Sequence, residues 1–249
     1  MLRNELKREG DFLFRYRGQL PFIMLLAGLA IFIIYNIRSV EAGHKFTEGY
    51  YWFICLAVSL LGQAIRIITV GRTPANTSGR NIHGQVADEV NTTGIYSLVR
   101  HPLYLGNFLM WLGLAMLTKN IWFIITFILV FWIYYERIMY AEEYFLHSKF
   151  GQIYENWASV TPALIPAFRN RKKSSLSFSW KKILKKEKNG IAGIFVTFFI
   201  FNLTGHLINK NGFAVITNFW FFAAIVSLVF YFILKFLKRK TTLLDEPGR

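Results

Sequence analysis

The segment Gly94-Ile95-Tyr96-Ser97-Leu98-Val99-Arg100-His101-Pro102-Leu103-Tyr104-Leu105-Gly106 stands where a polar loop gives way to an apolar run. Proline is favoured in the first turn of an α-helix, so the spacing predicts a helix that begins at Pro102. Polar side chains are costly at the mouth of a membrane helix unless they bind something. The segment therefore indicates either a binding turn or a set of basic and aromatic anchors at the membrane interface.

The composition indicates a membrane protein. Hydrophobic residues make up 54% of the 249 residues and charged residues only 17%, against roughly 25% charged in an average soluble domain. The net charge of +15 is dispersed among apolar runs, which argues against a nucleic-acid partner. The single cysteine, Cys55, excludes an internal disulfide, and Cys/His spacing typical of a metal site is absent, so we predict no metal.

The hydrophobic runs predict an all-α, polytopic transmembrane protein of about six spans, since a helix that crosses a bilayer needs about 20 apolar residues. The third and fourth runs are joined only by Thr118 and Lys119, which predicts a tight helical hairpin. The approximate bounds of the six runs are 19–37, 50–70, 102–117, 120–135, 190–208 and 213–237.

The lysines and arginines predict the orientation. They concentrate at both termini, at the ends of alternate spans and in the segment 169–188, whereas the opposite loops hold only Arg38, Lys45, Lys119 and Lys210. The positive-inside rule then places both termini and the binding turn in the cytoplasm.

We divide the chain into four regions. A basic segment with the first span (1–48) precedes the core (49–167), a basic linker (168–189) and a two-span extension (190–249). In the linker, apolar residues recur at helical spacing opposite a row of lysines, which is typical either of a helix lying on an anionic membrane surface or of a solvated linker.

A second motif follows the fourth apolar run. It comprises Arg137-Ile138-Met139-Tyr140-Ala141-Glu142-Glu143-Tyr144-Phe145-Leu146, then Phe150-Gly151-x-x-Tyr154-x-x-Trp157 and Thr161-Pro162-x-x-x-Pro166. Together the two motifs resemble the signatures of the isoprenylcysteine carboxyl methyltransferase and phospholipid methyltransferase superfamily. The resemblance covers residues 49–166. It departs from the family pattern at Trp157, where Tyr is usual, at Thr161, where Val is usual, and at Val160 and Ala163, where basic residues are common.

The resemblance implies an integral-membrane enzyme that uses S-adenosylmethionine. Glu142 matches the glutamate that contacts this cofactor in the family, and the residues around Pro102 match its cofactor-binding turn. The cofactor residues that the resemblance implies are Asn81, Asp88, Glu89, Val90, Asn91, Gly94, Tyr96, His101, Pro102, Leu103, Tyr104 and Glu142.

The chemistry of the cofactor suits these residue types. A carboxylate accepts hydrogen bonds from the cofactor's amino group or ribose, and aromatic rings hold the adenine or the sulfonium. Because Glu143 lies about 100° around a helix from Glu142, we expect it to face different surroundings. Arg100 or Arg137 would orient an anionic acceptor through a bidentate contact, although Arg137 also fits a snorkelling interface anchor.

The sequence is compatible with three functions. The first is a methyltransferase that acts on an amphipathic, lipid-like or small-molecule acceptor reached from the bilayer: a carboxylate, a phosphate, an amine or a thiol. The second is a membrane-bound NADPH-dependent reductase of the sterol type, since such enzymes share a similar R-H-P-x-Y turn. The third is a transporter or scaffold, which predicts inverted repeats or broken helices that the sequence does not show. The acidic pair Glu142-Glu143 favours the methyltransferase because it suits a cation better than a nucleotide phosphate.

Overall fold

The structure, a computed structural model, describes residues 2–74, 85–209 and 218–248. Over these residues the fold is helical, as the hydrophobic runs predict, and the only β-type pairing there is an isolated bridge between Gly94 and Lys172. Short 3₁₀ turns lie at Ile95–Ser97 and Phe168–Asn170. The α-helices of the described residues are α1 (Leu2–Arg15), α2 (Gln19–Glu41), α3 (Gly49–Gly71), α4 (Pro102–Met116), α5 (Ile121–Phe150), α6 (Gln152–Ala158), α7 (Trp180–Ile208) and α8 (Phe219–Lys240).

Five of these helices, α2, α3, α5, α7 and α8, are long and apolar enough to cross a membrane. Helix α4 is apolar but has only 15 residues, so it is about 22 Å long at ~1.5 Å per residue. It begins at Pro102 and turns back through residues 117–120, where the Asn120 side chain accepts a hydrogen bond from the Phe123 N–H (2.9 Å). The predicted hairpin and the prediction of about six spans are thus confirmed, and one of the six, α4, is shorter than the other five.

Helices α3 and α4 touch through their backbones. A Cβ added at Gly62 would lie 2.4 Å from the Gly106 carbonyl oxygen, and one at Gly113 would lie 2.4 Å from the Cys55 carbonyl oxygen. Only glycine permits this approach. The two helices therefore form one close-packed unit, which carries the turn with Arg100 and His101 at the start of α4.

Two clusters of buried side chains hold the other helices to this unit. Trp52 of α3 packs with Phe198 of α7 and Trp220 of α8, while Phe127 and Phe131 of α5 pack against α4. Dense packing of this kind, rather than exclusion of water, holds helices together inside a bilayer. The two-span extension is therefore packed against the first half of the chain.

The basic linker differs from the expectation drawn from its sequence. Its second half forms the first turns of α7, in which Lys182, Glu187 and Lys188 are buried. The Lys182 amino group donates to the Thr73 side-chain oxygen and to the Pro74 carbonyl oxygen, both at 3.0 Å. These acceptors follow the end of α3, so residues 180–189 dock on α3 instead of lying on a membrane surface or in solvent.

The N-terminal basic segment also forms a helix. In α1, Phe14 is buried in the cluster around α5, and a Cβ on Gly10 would lie 2.2 Å from the Arg137 carbonyl oxygen. Helix α1 therefore lies directly against the last turns of α5, beside the acidic pair.

Candidate active site

The turn before α4 is held by backbone hydrogen bonds from the second motif. The Arg100 N–H donates to the Pro162 carbonyl oxygen (2.9 Å), and the His101 N–H donates to the Ala163 carbonyl oxygen (3.1 Å). Gly94 has a φ of 62°, a conformation that favours glycine. The two motifs thus meet in space, the second bracing the first.

Trp157 adds a side-chain brace. Its indole N–H donates to the Tyr96 carbonyl oxygen (3.0 Å), and the ring is buried. Trp157 stands where the family pattern has Tyr, and its N–H fixes the 3₁₀ turn that carries Tyr96.

His101 is the centre of the polar cluster. Its Nε2 lies 2.9 Å from Glu143 Oε1 and its Nδ1 lies 3.6 Å from Glu142 Oε2. The Tyr104 hydroxyl donates to Glu142 (2.7 Å), and Arg100 Nε lies 3.3 Å from Glu143. The expectation that the two glutamates face different surroundings therefore holds only in part: both reach the same imidazole, but only Glu142 also lines the cavity described below.

The two carboxylates set the charge of His101. Burial alone would lower the pKa of the imidazole, but the hydrogen bonds and charges of Glu142 and Glu143 outweigh it and raise that pKa above its ordinary value. Burial also raises the pKa of the nearby Tyr96 phenol, and Glu142 adds to that rise. The cluster thus favours a cationic His101 and a neutral Tyr96.

A cavity of about 900 Å³ opens beside this cluster. Its walls come from α3, α4, α5, α7 and the turn between α1 and α2. Most of the candidate residues line it. They are Glu89, Val90, Asn91, Tyr96, Arg100, His101, Pro102, Leu103, Tyr104 and Glu142.

The remaining candidates are not brought into this cavity. Gly94 and Asp88 are not among its lining residues, and Asn81 lies outside the described residues. Arg137 is on another face of α5, where its Nε contacts Glu9 Oε2 of α1 (2.8 Å). It lines a separate open groove between α1 and α5. Of the two arginines considered for the acceptor, the structure therefore places only Arg100 at the cavity.

Sequence reasoning missed a second polar group in the cavity wall. Arg66 of α3 donates from Nε and Nη2 to the two carboxylate oxygens of Glu187 (2.9 and 2.7 Å), and from Nη1 to Asn107 Oδ1 of α4 (2.6 Å). All three side chains line the cavity. Two features of the sequence could have indicated the Arg66–Glu187 pair. Arg66 is the only charged residue in the run 50–70, and Glu187 lies among lysines.

Part of this chain is similar to known proteins. Residues 51–153 match the model of the phospholipid methyltransferase family. A protein-S-isoprenylcysteine O-methyltransferase of Schizosaccharomyces pombe is 41% identical over 49% of this chain and 52% of its own. A probable enzyme of the same name from Oryza sativa subsp. japonica is 32% identical over 47% of this chain and 63% of its own. The cobalt-zinc-cadmium resistance protein CzcN of Cupriavidus metallidurans is 32% identical over 55% of this chain and 61% of its own.

The class defined by the fold and the site is that of polytopic membrane proteins with a polar cavity at one end of the bundle. Residues 51–153, which carry the turn before α4 and the acidic pair, match the phospholipid methyltransferase family, and the chain is similar to proteins named as isoprenylcysteine O-methyltransferases. The resemblance inferred from the two motifs is thereby confirmed. The chain spans about half to three-fifths of the length of these relatives, and no solved structure matches it.

Proposed function

We propose that the protein is an integral-membrane methyltransferase that uses S-adenosylmethionine and methylates a lipid-like or lipidated acceptor. The observation that carries the proposal is the cavity where Glu142, His101 and Tyr104 meet. The relatives named as isoprenylcysteine O-methyltransferases support it. When bound, S-adenosylmethionine supplies an activated methyl group on a sulfonium.

The cavity residues fit this cofactor. The volume of about 900 Å³ lies within the ~300–1,000 Å³ typical of small-molecule sites. Glu142 keeps a quarter of its side chain exposed, so its carboxylate can accept further hydrogen bonds. The rings of Tyr104 and Tyr135, with centroids 5.0 Å apart, form an aromatic wall suited to a cation.

The protein's side chains then orient the cofactor and the acceptor and form no covalent bond with either. Methyl transfer is an in-line displacement, which gains most from orientation of the reacting groups. The Tyr104 hydroxyl holds the Glu142 carboxylate (2.7 Å), and Arg100 would orient an anionic acceptor. An acceptor that is already ionised needs no general base, and none is assigned.

The rest of the lining suits an amphipathic acceptor. Phe14, Pro21, Met110 and Trp111 give the cavity an apolar wall, against which an acyl or prenyl chain would lie. Both termini and the cavity are proposed to face the cytoplasm, on the charge asymmetry of the sequence.

Calorimetry of the full chain in detergent tests the proposal. We expect S-adenosylmethionine and its demethylated product to bind in the micromolar range, about −8 kcal/mol. Binding of NADPH, with no heat from either of those two ligands, would contradict the methyltransferase proposal and support the reductase. Mass spectrometry of membrane extracts from cells with and without the protein would then identify an acceptor that gains one methyl group.

A further inference from the structure

Arg66 has binding capacity that its protein contacts do not use. A guanidinium carries five N–H groups. Three of them donate to Glu187 and Asn107, and within the described residues the other two, one on each Nη, have no protein partner. Donors on the two Nη atoms of one guanidinium suit the oxygens of a carboxylate or phosphate.

The guanidinium is also held rigidly. Glu187 is only 1% exposed and accepts a further hydrogen bond from the Gln63 side-chain amide (2.9 Å). A Cβ on Gly106 would lie 2.6 Å from the Cγ atom of Arg66, so the arginine stem lies against the glycine of the signature. A group held in one geometry loses little entropy when it binds a ligand.

The charge around the cavity favours an anion. Among the described residues that line it, three carry carboxylates, Glu89, Glu142 and Glu187, while the basic ones are Arg15, Arg17, Arg66, Arg100, His101 and Lys186. A cleft lined mainly by one sign of charge concentrates ligands of the opposite sign. Bound S-adenosylmethionine, with one net positive charge, adds to this field.

We propose that Arg66 binds the headgroup of the methyl acceptor, with Glu187 as its positioning residue, and that this subsite selects an acidic oxygen group over an amine or an alcohol. The inference rests on the proposed function and narrows its acceptor to a carboxylate or a phosphate. Glu187 lies on α7, outside the matched residues 51–153. The C-terminal helices therefore contribute to acceptor selection.

Amphiphiles with one tail and four headgroups test the subsite. Dodecanoate, dodecyl phosphate, dodecylamine and dodecanol would be titrated against the full chain in a non-ionic detergent. In the wild type we expect the two anions to bind at least about tenfold more tightly than the amine. Tighter binding of the phosphate would assign the subsite to a phospholipid headgroup, and tighter binding of the carboxylate to a fatty or prenylcysteine acid.

Two variants should change this selectivity in opposite directions. Glu187→Gln keeps an oxygen for Arg66 but removes a negative charge, so the preference for anions should increase. The double variant Arg66→Gln/Glu187→Gln removes the cation without leaving a buried lone carboxylate, so the preference should be lost. Arg72→Gln removes the same charge just beyond the end of α3 and away from the cavity, and should leave the preference unchanged.

A purely structural role for the pair would move both variants in the same direction, and that result would overturn the inference, as would a wild-type preference for the amine. Binding of S-adenosylmethionine and its product is measured in the same samples. A chain that binds the anions but neither of these ligands retains the subsite and contradicts the methyltransferase. A chain that binds them but does not distinguish the headgroups contradicts only the subsite.

Discussion

At the scale of single residues, the site depends on one imidazole held between consecutive glutamates of a helix. Consecutive positions point in different directions, so the two carboxylates approach opposite nitrogens of His101. Glu142 thereby keeps a free face toward the cavity, while Glu143 is paired with His101 and Arg100. We therefore propose different roles for the two glutamates: Glu142 binds the cofactor and Glu143 positions His101.

This division predicts unequal effects on cofactor binding. Glu142→Gln should weaken binding of S-adenosylmethionine by about 1.5–3 kcal/mol, the range for a hydrogen bond to a charged group. Glu143→Gln is the matched control and should cost less, since Glu143 does not line the cavity. Calorimetry on both variants measures the difference, and an equal or larger loss at Glu143 would show that the roles are reversed.

The raised pKa of His101 predicts a dependence of stability on pH. Because the pKa is higher in the folded than in the unfolded protein, the charged pair stabilises the fold fully below the unfolded value of about 6.5. That stabilisation is lost as the pH rises through the folded pKa. The wild type should therefore exceed His101→Gln in thermal stability most near pH ~6, and the gap should narrow toward alkaline pH. His147→Gln, at the exposed pair with Glu155, is the control; a gap that widens with pH would contradict the assignment.

At the scale of helices, the contact between α3 and α4 determines where Arg66 lies. The atoms nearest a Cβ on Gly62 are the Gly106 carbonyl oxygen and the Met110 nitrogen, at 2.4 and 2.5 Å. Both belong to the backbone, so no side-chain rotation relieves the clash. The helices must separate to accept even one methyl group.

Gly62→Ala should therefore destabilise the protein by about 1–3 kcal/mol, the usual cost of overpacking, and weaken ligand binding at the cavity. Gly193→Ala is the matched control, because nothing lies within 4 Å of a Cβ at that position of α7. It should be neutral or stabilising, since alanine is the better helix former. Thermal unfolding of the two variants in detergent measures the difference, and equal stability would contradict the close contact.

The sequence predicts the helices well because hydropathy is a local property, whereas much of the site depends on distant contacts. Hydropathy predicts that the fifth span begins at residue 190, whereas α7 begins at Trp180, because the lysines before Gly190 are typical of an exposed surface. Lys182 is buried because its amino group finds acceptors after α3. Likewise Arg66 finds its carboxylate at Glu187, 121 positions away. Arg137 does not reach the cavity because it pairs with Glu9 of α1, whereas Arg100 lines it. The packing of α1 cannot be predicted from either motif.

At the scale of the molecule, polar side chains gather at both ends of the bundle. The cavity occupies one end. At the other, Glu48 accepts from the Trp220 indole N–H (2.9 Å) and lies 3.0 Å from His206 Nε2. These contacts tie the loop between α2 and α3 to the α7–α8 pair.

The charge distribution predicts which end faces the cytoplasm. In a Cys55→Ala background, a cysteine at the exposed Lys173 should resist an impermeant thiol reagent in intact cells and react once the membrane is opened. A cysteine at the exposed Lys45 should react from outside. External labelling at position 173 would show that the orientation is inverted, and the cavity would then have no access to cytoplasmic S-adenosylmethionine.

The short α4 has a consequence for the membrane itself. A helix of about 22 Å falls about 8 Å short of a ~30 Å hydrocarbon layer. If the turn to α5 lies at the opposite membrane surface, we predict that His101 lies below the level of the lipid headgroups. Either the acceptor headgroup must move deeper into the bilayer, or the bilayer must become thinner around α4, before the acceptor reaches the cavity. Bilayer mismatch of this kind costs fractions of a kcal/mol per ångström. Thin membranes therefore suit this protein better than thick, sterol-rich ones.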